Sequence, residues 1–399
     1  MPIADHAADP VVIAGYARTP MGGFQGDLSS LKSTELGAAA VKAAVERSGV
    51  SPDAVQRIFM GCVLPAGLGQ APARQAALGA GLSLSTQATT VNKMCGSGMQ
   101  AAMMAYDALA AGSADIIVAG GMESMSNAPY ALPKHRGGAR IGHGVVIDTM
   151  MMDGLEDAYT PGKAMGAFAE DAVQAYQFTR EDQDVYAIRS LERANAAIAS
   201  GAFEREIVPV SVATRGGSVT VSVDEQPGKA RPEKIPTLKP AFLKDGTITA
   251  ANASSISDGA AALVMTRASV AEKLGLKVIA RVVGHEGHAH EPGLFTTAPV
   301  PAMRRLMERI GWTVDDVDLF EVNEAFAVVA MIAARDLGIP DDKLNVNGGA
   351  TALGHPIGAS GARILATLLG ALENRGLKRG VASLCIGGGE ATAMAVELV

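Results

Sequence analysis

Residues 40–58 (AVKAAVERSGVSPDAVQRI) and residues 302–320 (AMRRLMERIGWTVDDVDLF) align without a gap. The identities are Ala40/Ala302, Glu46/Glu308, Arg47/Arg309, Gly49/Gly311, Asp53/Asp315 and Val55/Val317. Each copy reads as a helix stopping at a glycine, a short turn and an apolar strand. Working outward, Ser97-Gly98 pairs with Ser360-Gly361, each opening an Ala/Leu-rich helix that leads to a strand and a glycine cluster. Gly120-Gly121-Met122-Glu123 closes the first copy and Gly387-Gly388-Gly389-Glu390 the second. The preserved order implies two duplicated α/β halves related by a pseudo-two-fold axis. Apolar stretches such as residues 115–119 (DIIVA) and 381–386 (VASLCI) alternate with the helices, which predicts sheets with helices on both faces.

Between the copies the texture changes. Residues 124–253 hold glycine-rich loops, the group Lys134, His135, Arg136 and Arg140, and a helical stretch over 168–200. They read as a loop domain inserted into the first half. Residues 258–267 (DGAAALVMTR) are strand-like and return to that half. The domain reading is therefore 1–123, completed by about 254–277, for the N-terminal half, 124–253 for the insertion and 278–399 for the C-terminal half.

Composition bounds the function. A chain of 399 residues with 48% hydrophobic and 19% charged residues is long enough for two or three domains and too apolar for disorder. A net charge of −7 argues against a dedicated nucleic-acid surface. The longest apolar run, residues 325–334, falls short of the roughly 20 residues needed to span a bilayer, so no membrane segment is expected. The start of the chain, with Asp5 and Asp9, has neither a basic region nor an apolar one, which reads as a cytoplasmic protein. Cys62, Cys95 and Cys385 are an odd, scattered set, suiting free thiols in a reducing compartment.

Cys95 lies between a strand over 87–92 and a helix running to about residue 111. A thiol there faces the positive end of the helix dipole, which lowers its pKa and favours a nucleophile; a small buried hydrophobe is the bland alternative. His355 precedes the matching helix of the second copy, flanked by glycines, so the axis can bring it to Cys95. Cys385 ends a strand before Gly387-Gly388-Gly389, whose amides are free to bind an oxyanion, and Asn323 ends the strand matching residues 58–62. Cys62 reads as buried filling. Met150-Met151-Met152 reads as packing, against either a greasy substrate or the loop-domain core. Residues 284–291 (GHEGHAHE) tempt a metal reading, but the spacing is not a zinc motif; a solvated loop is expected and no metal.

Along nearly its whole length the chain resembles the thiolase family, the acetyl-CoA acetyltransferases and 3-ketoacyl-CoA thiolases. The resemblance is carried by NKMCGSGMQAA around Cys95, GLGQAPARQAAL over 67–78, Asn252-Ala253-Ser254 ahead of SDGAAAL, NEAF at Asn323, GGATALGHPIGASGAR from Gly348, and CIGGG from Cys385. It implies a thiolase fold whose inserted loop domain binds coenzyme A, assembled as a homodimer or homotetramer. It further implies Cys95 as the acylated nucleophile, His355 as its base and Cys385 as the acid/base at the acetyl α-carbon. Asn323 would hold a water that, with His355, stabilises one oxyanion, the backbone amides of Cys95 and Gly387 stabilise the other, and Ser254 touches the pantetheine arm. The activity implied is interconversion of acyl-CoA plus acetyl-CoA with 3-ketoacyl-CoA plus coenzyme A. Coenzyme A is then substrate and product, with no tightly bound cofactor. Short-chain members carry a histidine before Met-Gly where this chain has Ala164, so acetoacetyl-CoA is expected as a substrate with 3-ketoacyl chains of five or six carbons accepted as well. The rivals are a decarboxylating condensing enzyme, which has histidine in place of Cys385, a silent coenzyme A scaffold, and a Cys/His/Asn hydrolase, which would leave Cys385 and the CIGGG amides without a task.

Overall fold

The computed structural model describes residues 9–399; residues 1–8, part of the acidic start read above, lie outside the described residues. The first half contributes β1 Val11–Arg18, β2 Arg57–Gly61, β3 Gln87–Val91, β4 Ile116–Ser124 and β5 Ser257–Arg267. The second contributes β6 Ala280–Ala289, β7 Leu319–Val322, β8 Arg379–Ile386 and β9 Glu390–Leu398. Their spatial order is β7-β8-β9-β6-β1-β5-β4-β2-β3. Reading outward from the centre, β1-β5-β4-β2 repeats β6-β9-β8-β7. The innermost strands meet antiparallel through Val12 with Arg281 and Ile13 with Ala280, where the pseudo-two-fold axis must pass. Even the irregularities repeat. The register against the neighbouring strand shifts between Ile13 and Gly15 in β1 and between Val282 and Gly284 in β6.

The helices that matter here are α1 Ser33–Ser48, α2 Pro72–Gly79, α3 Ser97–Ala110, α4 Met165–Tyr176, α5 Arg180–Ala199, α6 Pro299–Ile310, α7 Ala327–Leu337 and α8 Ser360–Arg375. The glycines matched in the repeat, Gly49 and Gly311, end α1 and α6 in the left-handed conformation, with φ of 74° and 72°. Central helices α3 and α8 fill the layer between the two half-sheets. There Met99, Met103 and Leu109 pack with Ile364, Leu368 and Leu369 against Ile117 and Leu263 on one side and Leu319 and Leu384 on the other. Alternate residues of β4, Ile116 and Val118, turn outward to α1 and α2, and α6 and α7 cover the second half in the same way. A helix between two sheets has no wet face, and α8 is buried without a break from Ser360 to Leu372. The helices cross at the matched Ser-Gly pairs. A Cβ on Gly98 would lie 2.7 Å from the Ala362 nitrogen, and one on Gly361 would lie 2.3 Å from the Met99 nitrogen.

The segment between β4 and β5 is fastened to β1 by Arg18. This fully buried guanidinium meets Glu206 at 2.5 Å and both oxygens of Asp224 at 2.6 and 2.8 Å. The helical stretch expected over 168–200 is two helices. Gln177, at φ 56°, ends α4, and Thr179 begins α5 with a capping box to Asp182. The solvated loop expected over 284–291 is also corrected, because residues 280–289 form β6, paired along its length with β9. Its histidines have separate partners: His285 with Asp107 at 3.0 Å, His288 with Arg305 at 2.7 Å and His290 with the Leu294 carbonyl at 2.9 Å. Among the described residues no helix is long and apolar enough to cross a membrane.

Candidate active site

Both central helices begin at one wall of a cavity of about 390 Å³, and the loops before them carry the chemistry. Cys95, Ser254, His355 and Gly387 line it together with Met165, Phe242, Phe295, Phe326 and Ile357. The wall is apolar except where those groups converge, as suits a small acyl chain ending in a reactive carbonyl.

Ahead of α3 the chain makes a tight turn, with Met94 at φ 46°. The Asn92 side chain accepts from the Met94 amide at 3.1 Å, and Ser97 Oγ donates to the Met94 carbonyl at 2.6 Å while accepting from the Lys93 amide at 2.8 Å. Lys93 reaches across to an ion pair with Glu390, so the turn is tied to the Gly387 loop of the other half. The Gly387 amide and that of Cys95 itself donate toward the Cys95 sulfur. The lowered pKa expected at a helix start is not what results. Burial pushes the Cys95 thiol up to about 11, outweighing the two amides, with the Glu123 charge adding to the rise.

His355 is buried, and its Nδ1 lies 2.5 Å from Ser360 Oγ. The serine hydroxyl has one proton and donates it to the Pro356 carbonyl at 2.9 Å. With the hydroxyl proton on the Pro356 carbonyl, Nδ1 donates to Oγ and the Nε2 lone pair is free; among the described residues no partner is found for Nε2. Burial, and then the cation of Arg363, press the imidazole pKa down to about 3, keeping the ring neutral. His355 is thus a free base at the cavity wall.

Cys385 and Asn323 lie behind the lining rather than on it. Cys385, at the end of β8, is buried, and burial together with the charge of Cys95 holds its thiol well above the ordinary value. Asn323 follows β7; its backbone amide donates to the Ser383 carbonyl at 3.0 Å, Oδ1 accepts from Arg363, and Nδ2 has no partner among the described residues. Ser254 lines the cavity, but its hydroxyl and amide both donate to the Ala325 carbonyl, at 2.9 and 3.0 Å. Cys62 is buried against Glu123. The three methionines divide: Met150 packs in a small core, Met151 lines the cavity and Met152 is exposed.

Two groups escaped the sequence reading. Glu123 accepts from the amides of Val63, Leu64 and Gly358 at 2.9 to 3.2 Å, tying the two halves together beneath the site, and burial pushes its carboxyl up to about 7. Arg363 sits fully buried in α8. A lone arginine in the apolar run SGARILATLLG was the available signal. A second cleft, of about 310 Å³, shares Ala250 and Ser255 with the first and carries Lys229, Arg231 and Lys234. Arg231 and Lys234 are exposed and make no ion pair among the described residues. The basic group Lys134, His135, Arg136 and Arg140 is exposed on the surface and lines neither cleft.

Known proteins are similar to this chain over nearly its whole length. Residues 11–269 match the thiolase N-terminal domain and residues 276–398 the thiolase C-terminal domain. Acetyl-CoA acetyltransferase 1 of Arabidopsis thaliana is 50% identical over 403 residues, covering 100% of this chain and 97% of its own. The acetyl-CoA acetyltransferase of Cupriavidus necator is 49% identical over 389 residues, covering 97% and 99%. The solved Bacillus anthracis acetyl-CoA acetyltransferase shares the fold at a TM-score of 0.95, with 41% identity and coverage of 98% and 99%. With identity at this level, and with both domains matched on either side of the seam between β1 and β6, the chain belongs to the thiolase family.

Proposed function

We propose that the enzyme interconverts acyl-CoA plus acetyl-CoA with 3-ketoacyl-CoA plus coenzyme A, through an S-acyl-Cys95 intermediate, with acetoacetyl-CoA as a short-chain substrate. The observation that carries this is the Cys95 sulfur under the Gly387 amide, on the same cavity wall as the free Nε2 of His355. In thiolysis, His355 Nε2 takes the Cys95 proton as the sulfur adds to the 3-keto carbonyl; with a thiol near 11 and an imidazole near 3, transfer accompanies attack rather than preceding it. The oxyanion forms under the amides of Cys95 and Gly387. The carbon–carbon bond then breaks, the acetyl-CoA enolate takes a proton from the Cys385 thiol, and Cys95 is left acylated. Burial keeps Cys385 protonated, as this donation requires. The proton on His355 passes to the Cys385 thiolate and resets both. Coenzyme A then gives its proton to His355 and attacks the acyl-cysteine, and Cys95 leaves, recovering a proton from His355. Asn323 Nδ2, through a water shared with His355, serves the thioester oxygen of the enolate.

Coenzyme A would run from the acyl cavity past Ser254 to the adjoining cleft, where Arg231 and Lys234 are free to meet its phosphates. The segment 124–253 is the loop domain that receives it, between halves at 1–123 with 254–277 and at 278–399. No tightly bound cofactor and no metal enter the reaction. A cytoplasmic homodimer or homotetramer acting in fatty acid metabolism fits the free thiols and the substrate class. The test is loss of acetoacetyl-CoA on adding coenzyme A, with trapping of label from acetyl-CoA. Label on Cys95 is expected; turnover without label there would sink the reading.

A further inference from the structure

Beneath the site, α8 carries Arg363, which is fully buried and poorly satisfied. Its Nη2 donates to Asn323 Oδ1 at 3.4 Å and its Nη1 lies 3.8 Å from Glu321 Oε2, while Nε has no partner among the described residues. A buried guanidinium is costly unless compensated, and replacing such a pair by apolar side chains often stabilises a protein. Its contact with Asn323 explains the placement. Because Oδ1 accepts from Arg363, the Asn323 carboxamide is held with Nδ2, which has no partner among the described residues, turned the other way.

We propose that Arg363 is a positioning residue for catalysis, fixing the orientation of the Asn323 amide. The role rests on the acyltransferase reading above. Asn323 presents its Nδ2 donor to the water it shares with His355 only in one of two flipped orientations, and Arg363, which has no acceptor, permits only that one.

Two variants test the role. Arg363→Lys keeps the charge and loses the planar fork; kcat for thiolysis should fall about 10- to 100-fold with KM little changed, since small misplacements cost that much. Arg363→Met with Glu321→Gln removes the fork without orphaning a carboxylate, and kcat should fall at least as far, again with KM little changed. Wild-type kcat in the lysine variant, or in the folded double variant, overturns the proposal. Should the double variant not fold, the cycle of Arg363→Lys with Asn323→Ala decides: coupled losses support the role and additive losses overturn it. Absence of turnover in the unaltered enzyme overturns both readings; turnover there with unchanged variants overturns this one alone.

Discussion

Each half opens its central helix with the same Ser-Gly pair, yet the two serines serve different chemistry. Ser97 Oγ donates to the Met94 carbonyl and accepts from a backbone amide, that of Lys93. Ser360 Oγ donates to the Pro356 carbonyl and spends its lone pair on the His355 side chain. The difference follows from spacing, because Cys95 stands two residues before its serine and His355 stands five before its own. A duplicated scaffold supplied one local device twice: in one half it shapes the turn bearing the nucleophile, and in the other it selects the tautomer of the base.

The harshest way to break this comparison is to remove the nucleophile. Cys95→Ala should lower thiolysis and condensation by more than about a thousandfold, followed as acetoacetyl-CoA consumption and formation. Retention of a tenth of the activity would mean that the first half does not supply the covalent step. Cys385→Ser divides the halves further. Acetyl exchange between acetyl-CoA and labelled coenzyme A should persist, since it needs only Cys95, His355 and the amides, while thiolysis falls about 100-fold or more for want of α-carbon proton transfer. Equal loss in both assays would assign Cys385 to acylation instead.

The serines themselves come next. Ser360→Ala frees the imidazole to take the wrong tautomer and should lower kcat about tenfold or more with KM nearly constant. Ser97→Ala should instead cost roughly 1 kcal/mol of stability through its lost hydrogen bonds, seen as a lower Tm, with a smaller kinetic effect. Matching kinetic losses would erase the distinction. A gentler probe is the pH dependence of Cys95 alkylation by iodoacetamide. With burial pushing the thiol up to about 11, the reactive thiolate is a minor form that grows as pH rises. The rate should therefore climb about tenfold per pH unit between about pH 7 and pH 9. A plateau below pH 9 would show that the Gly387 and Cys95 amides outweigh burial. The smallest effect concerns chain length. Ala164 lines the cavity, so 3-ketoacyl substrates of roughly five or six carbons should keep kcat/KM within about tenfold of acetoacetyl-CoA. Activity confined to the four-carbon substrate would mean that another wall limits the site.

Much of the architecture was legible because the duplication leaves local marks. Gly49 and Gly311 are required by left-handed helix ends, and Gly98 and Gly361 by the crossing of α3 and α8, so short-range constraints exposed a long-range symmetry. The matching shifts at Gly15 and Gly284 went unseen, because intervening loops differ in length and the gapless alignment does not extend to them. The break between α4 and α5 was missed for a different reason. Gln177 adopts a conformation more usual for glycine, and composition does not announce it.

At the site, the sequence alone determined which side chains are present and which turns carry them, because nucleophile, base and glycine amides each sit beside a helix start or strand end with its own local pattern. Their ionisation and direction came from the packing of the folded chain. Burial reversed the pKa expected for Cys95, Ser360 selected the tautomer of His355, and Arg363, from a helix otherwise read as core, turned the Asn323 amide. These outcomes depend on desolvation and, for Cys95 and Asn323, on Gly387 and Arg363 from distant parts of the chain, while the Ser360 contact, five residues from His355, is made only by the rotamers that packing selects.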